Sequence, residues 1–122
     1  MSTKPLPRNH KCGDIVLVLF PNSDLRSAKR RPALVVQADE LGTGLSQVIV
    51  ALVTSRMARA NHQSRAAVRL ATVQGSQSGL LTDSVVMTDN LATVGSFAVS
   101  RVIGTIPMVQ VDEALRYTLG LL

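Results

Sequence analysis

A mostly antiparallel β-barrel or strongly curved sheet, closed by one C-terminal helix, is the fold class this sequence predicts. Three observations lead there. Five or six short apolar runs, each bounded by Gly, Pro, Asn, Asp or Ser, follow one another through the first hundred residues. No helical segment alternates with them, as a parallel sheet would demand. Only the stretch after Pro107 shows helical spacing.

Taken in order, residues 1–11 are polar, with Pro5 and Pro7 breaking any helix, so a flexible tail is expected before a single domain over 12–122. Ile15 to Phe20 form the first strand, bounded by Gly13 and by Pro21-Asn22-Ser23-Asp24. A loop carrying Arg26, Lys29, Arg30 and Arg31 leads to a second strand at Ala33–Val36. Pro32 has no N–H for a ladder, which places it at that strand's first residue or on an exposed edge. After a loop of glycines and acids at 39–44, Val48 to Val53 make a buried strand ending in Thr54-Ser55. Residues 56–64 lack a clean period and read as a loop with room for one helical turn. Ala66, Val68 and Leu70 alternate as a fourth strand, and ATVQGSQSG is a loop by composition. Ser84 to Thr88 make a strand followed by a turn near Asp89-Asn90, and Val102 to Ile106 the final extended piece. From Pro107 onward, Met108, Val111, Ala114, Leu115, Leu119 and Leu122 follow helical spacing, with Asp112 early and Arg116 late to complement the dipole.

Composition narrows the classes of function. With 46% apolar and 17% charged residues, the 122-residue chain has the makings of one folded domain. One cysteine, Cys12, excludes an intramolecular disulfide and a multi-cysteine metal site, and a reducing cytoplasm is the expected compartment. No segment approaches the ~20 apolar residues of a membrane span. Thirteen Lys and Arg against eight Asp and Glu give +5, and stretches 26–31 and 56–69 hold eight of those cations and no acid. Joined in space, they would attract phosphates or an acidic peptide; kept apart, they are two solvated loops. Ten of the cations are arginines, whose planar fork matches phosphate oxygens in pairs. Aromatic residues are only 2%, which argues against modules that stack bases on rings. His10 and His62 sit in a tail and a loop with nothing to hold them as an acid–base pair, and no ligand set for a metal accompanies them.

The ordered set GDIVLVLFPNSDL, KRRPALVVQ, Thr54-Ser55, SGLLTDSVVMTDNLATVG and IGTIP followed by a helix resembles the PemK/MazF toxins of bacterial type II toxin-antitoxin systems, over residues 12–121. The resemblance implies a small antiparallel SH3-like or CcdB-like barrel, a homodimer, a metal-independent and sequence-selective endoribonuclease acting on single-stranded RNA, no cofactor, and a neutralising antitoxin partner. It assigns catalysis to Arg31, in the family's RP position, and to Thr54. Such chemistry is accessible without a metal, because RNA carries its own 2′-OH nucleophile. The protein has to align that group, stabilise charge on the phosphoryl oxygens and manage two protons.

Ser55 is a second hydroxyl beside Thr54; the same two residues also suit a strand end followed by a turn. Lys29, Arg30 and Arg56 are candidate phosphate binders. Asp89, in the place of the family's acid, either orients a group, contacts a base or makes an Asx turn. Two positions where relatives carry arginine read Met87 and Ala92 here, and Arg56 or Arg59 is the nearest spatial substitute. Two alternatives stay open beside the nuclease: a non-enzymatic toxin that poisons DNA gyrase, as the CcdB fold does, and an inactive module whose basic groove only binds an antitoxin segment.

Overall fold

A computed structural model describes residues 10–21 and 24–122. Most of the expected tail, 1–9, and two residues of the expected turn, 22–23, lie outside them. The strands are β1 (Asp14–Pro21), β2 (Ala28–Val35), β3 (Gln47–Thr54), β4 (Arg65–Val68), β5 (Ser84–Gly95) and β6 (Val99–Thr105). The helices are a one-turn α1 (Val73–Ser76) and α2 (Val109–Leu119), with short 3-10 turns at Met57–Ala60 and Ser96–Ala98. The six strands form one sheet in the order β4-β5-β3-β2-β1-β6, every pairing antiparallel. The mainly β class with a C-terminal helix is as the sequence predicts. The outer strands β4 and β6 do not pair, so the sheet curls without closing its ladder.

The central strands are buried on both faces, which is why they read as unbroken apolar runs rather than alternating ones. Ile15, Leu34, Ala51, Val53, Val86 and Val111 gather on one face, beneath α2. Val16, Val18, Ala33, Val35, Val48 and Val50 gather on the other. Among the described residues no α-helix packs on that second cluster. Its cover is the curl of the sheet itself, through Phe20, Ala92, Val94, Ala98 and Val99. The β6 edge is held close to the segment after α1 by backbone contact: Thr105 donates its N–H to the Gln77 carbonyl at 3.0 Å, and a Cβ at Gly104 would collide with the Ser78 backbone.

Several local expectations are corrected. β2 starts at Ala28, so Lys29, Arg30 and Arg31 stand on a strand, paired with Phe20, Leu19 and Val18, not in a loop. Pro32 is therefore inside the strand. Its missing donor is tolerated because the β2–β3 ladder begins only at Ala33. Asp89-Asn90 does not turn the chain: β5 runs through it, and Thr88, Asp89 and Asn90 bulge out while β3 passes directly from Ala51 to Leu52. The ATVQGSQSG loop holds α1, capped by Thr72, whose hydroxyl accepts the Gly75 N–H at 2.9 Å. Helix α2 begins at Val109 rather than Pro107 and ends in a left-handed Gly120, where Leu121 donates to the Arg116 carbonyl at 2.8 Å. Among the described residues no helix is long and apolar enough to cross a membrane.

Candidate functional site

Register decides which candidates meet. Ala33 pairs with Leu52, and there the β2–β3 ladder stops. Carried two residues further, the same register sets Arg31 opposite Thr54. Directly opposed residues share a face, so both project to the face of the second cluster, at the place where β2 and β3 part. Alternation puts Lys29 on this face with Arg31. Arg30 pairs with Leu19 and points to the opposite face, so the three cations of the KRR run do not act on one surface. Arg31 and Lys29 are exposed, and Thr54 is half-buried.

Thr54 Oγ1 accepts the Arg56 N–H at 3.2 Å, which leaves the hydroxyl proton to donate elsewhere among the described residues. That bond also turns the chain. Ser55 and Arg56 follow, both exposed, and Arg56 opens the Met57–Ala60 turn.

The same face continues across β5 and β4. Thr54 pairs with Val85 and Leu52 with Met87, which pairs in turn with Arg65. Buried Met87 holds no cation, yet the Arg59 guanidinium lies 3.9 Å from its sulfur. Asp89 is taken up by Arg65: Nε donates to Oδ1 at 2.8 Å and Nη2 to Oδ2 at 2.7 Å, while Nη1 donates to the Arg59 carbonyl at 2.8 Å. The Arg65 guanidinium holds the Asp89 carboxyl below the usual carboxylate range. Ala92, the other departure, is half-buried against the second cluster.

The loop before β4 is pinned from behind. Thr88 Oγ1 donates to the Ser64 carbonyl at 2.6 Å and meets Thr118 of α2 at 2.7 Å. His62 Nδ1 meets Ser64 Oγ at 2.7 Å, and its ring sits edge-on to Tyr117 at 5.8 Å. His62 thus belongs to the packing of α2, and His10 borders a separate pocket with Gln37 and Asp39. Among the described residues no group of three His, Cys, Asp or Glu is placed to hold a metal.

Arg65 was not singled out by the sequence reading, although a signal existed. Burial at Ala66 and Val68 turns Arg65 and Ala67 to the other face, the one bearing Thr54. What emerges is a band across four strands: Lys29 and Arg31 on β2, Thr54 ending β3, Arg59 over β5, and the Arg65–Asp89 pair across β4 and β5. A band of arginines and a free hydroxyl suits a phosphodiester backbone.

Comparison with known proteins agrees on family and fold. The family model described as PemK-like, MazF-like toxin of type II toxin-antitoxin system matches residues 11–119. Among curated proteins no sequence match was found. The Mycobacterium tuberculosis toxin MazF-mt6 superposes with a TM-score of 0.67 at 24% identity, covering 88% of this chain and 97% of that one. An endoribonuclease in complex with its cognate antitoxin, from a mycobacterial species, superposes at 0.70 with 19% identity over 93% of this chain and 97% of that one. A MazE-MazF structure from Deinococcus radiodurans gives 0.68 at 20% identity, over 93% and 98%.

Proposed function

The chain belongs to the PemK-like, MazF-like toxin family of type II toxin-antitoxin systems, and from that premise we propose that it is a cytoplasmic, homodimeric endoribonuclease that cuts single-stranded RNA without a metal or cofactor. The observation that supports the reading is the β2–β3 register, which ends at Ala33 and Leu52 and, carried two residues further, puts Arg31 and Thr54 on one face where the strands part. A phosphodiester laid across that gap has the Arg31 fork against its non-bridging oxygens and the Thr54 hydroxyl beside the same group. The substrate's 2′-OH attacks phosphorus and loses its proton to solvent or a neighbouring base. The P–O5′ bond breaks, the 5′-oxygen takes up a proton, and the products are a 2′,3′-cyclic phosphate and a 5′-OH end. Arg31 stabilises the charge that grows on the phosphoryl oxygens, the largest single contribution a site of this kind makes. Lys29, Ser55 and Arg56 hold the flanking strand, and Arg30, on the other face, contributes general charge. A short acidic antitoxin segment, folding as it binds, competes for the same cations.

The test is cleavage of long single-stranded RNA in EDTA. Cuts with 5′-OH ends are expected, with Arg31→Ala slowing them at least about 100-fold, the scale of removing one charge-stabilising donor. Metal-dependent cutting, or cutting indifferent to Arg31, removes this mechanism. Growth arrest that leaves mRNA intact and traps gyrase on DNA would favour the non-enzymatic alternative.

A further inference from the structure

We propose that Arg59 is a further RNA-binding residue and that the Arg65–Asp89 pair is a clamp that positions it; the first half rests on the endoribonuclease reading. Arg59 lies on the Thr54 face, its guanidinium 3.9 Å from the sulfur of Met87, which pairs with Leu52 two residues before the Thr54 strand end. A cation there extends the phosphate track from Arg31 and Thr54 across β5.

The Met57–Ala60 turn that carries Arg59 has little to hold it. It buries no residue, and no side chain caps its first N–H groups. Besides the Arg56 N–H on Thr54 Oγ1 and the Arg59 side chain on Met87, the bond that ties its backbone to β4 is the Arg65 Nη1 donating to the Arg59 carbonyl at 2.8 Å. Arg65 in turn has its remaining guanidinium edge fixed by both oxygens of Asp89, on the bulge of β5. A bidentate pair fixes a plane as well as a distance. Fixing that plane aims the third donor at the Arg59 carbonyl. Asp89 therefore acts on RNA through Arg65 and the turn.

Charge alone predicts the opposite effect, which makes the inference testable. Removing a carboxylate from a basic face should strengthen RNA binding; removing the clamp should weaken it. Arg59→Ala is expected to raise KM about 10-fold with kcat within about 2-fold, and to flatten the dependence of log affinity on log salt by about 0.7, one phosphate contact on a single strand. Asp89→Asn is expected to weaken RNA binding in the same direction and to speed amide hydrogen exchange over residues 56–61. The double variant should be no weaker than Arg59→Ala alone. Tighter RNA binding by Asp89→Asn, or effects that multiply in the double variant, would overturn the clamp as a route to RNA. Exchange separates the two halves: unchanged exchange in Asp89→Asn overturns the clamp whether or not the parent cuts RNA. Faster exchange in a parent that neither binds nor cuts RNA keeps the clamp and overturns the role given to Arg59.

Discussion

Thr54 offers two separable functions, an oxygen that accepts the Arg56 N–H and a hydroxyl proton left to donate. Thr54→Val keeps the branched shape and removes both. We expect cleavage to fall at least about 10-fold while the melting temperature barely moves, because the orphaned N–H is exposed and water replaces the lost bond. Thr54→Ser should retain most activity, and equal losses in both variants would mean that shape rather than the hydroxyl matters. Asp89 makes a second prediction, with pH. Its carboxyl titrates lower in the folded protein than its ordinary value near ~3.9, so its contribution is present above that value and lost as pH falls through the lower folded one. The pair is exposed enough that the stability involved is small. Any difference in melting temperature between the parent and Asp89→Asn should therefore be visible at pH 7 and shrink as pH falls below the ordinary carboxylate range. A difference that persists in acid would mean the carboxylate's charge is not what the variant removes. The proposed pair Arg31 and Thr54 could be singled out in the sequence through the family resemblance, each being marked locally, by the following proline and by a strand end. The Arg65–Asp89 pair could not. Its partners are far apart in sequence, and only the β4–β5 register and the bulge bring them together.

At the scale of elements, long apolar runs announced β1, β3 and the first half of β5, and helical spacing announced α2. Two features escaped for physical reasons. Asp-Asn is as much at home in a bulge as in a turn, since both need residues whose backbone groups are satisfied locally. The KRR run forms strand because a ladder uses only backbone groups, and exposed arginine heads reach water from a strand as easily as from a loop. The curl of the sheet rests on glycine at the meeting of β6 with the segment after α1. A Cβ at Gly104 would strike the Ser78 backbone, which has no flexible end to yield, and Gly79 opposite has a φ of +74°. Gly104→Ala should therefore cost about 1–3 kcal/mol, as overpacking does, read as a lower denaturant midpoint with an unchanged slope. A neutral result would mean that β6 and this segment separate freely, and that the curl is held by the second cluster alone.

Across the whole molecule, the net charge of +5 says less than its placement. A basic chain with scattered cations binds RNA weakly and without geometry. A chain that lines Lys29, Arg31 and Arg59 along one face, with Arg56 just beyond the Thr54 strand end, releases counterions at defined sites. Each phosphate neutralised on a single strand contributes about −0.7 to the slope of log affinity against log salt, so four contacts predict a slope of about −3. Between 50 and 200 mM salt, affinity for a short single-stranded RNA should then fall about 50-fold. An acidic peptide that displaces the RNA by occupying the same cations should weaken steeply over that range as well, since it too gives up its attraction to screening. A slope near −1 would mean that these residues are independent solvated charges, the reading that composition alone left open. A steep slope for RNA with a flat one for the peptide would mean that the two partners use different surfaces, and that neutralisation works by reshaping the site from elsewhere.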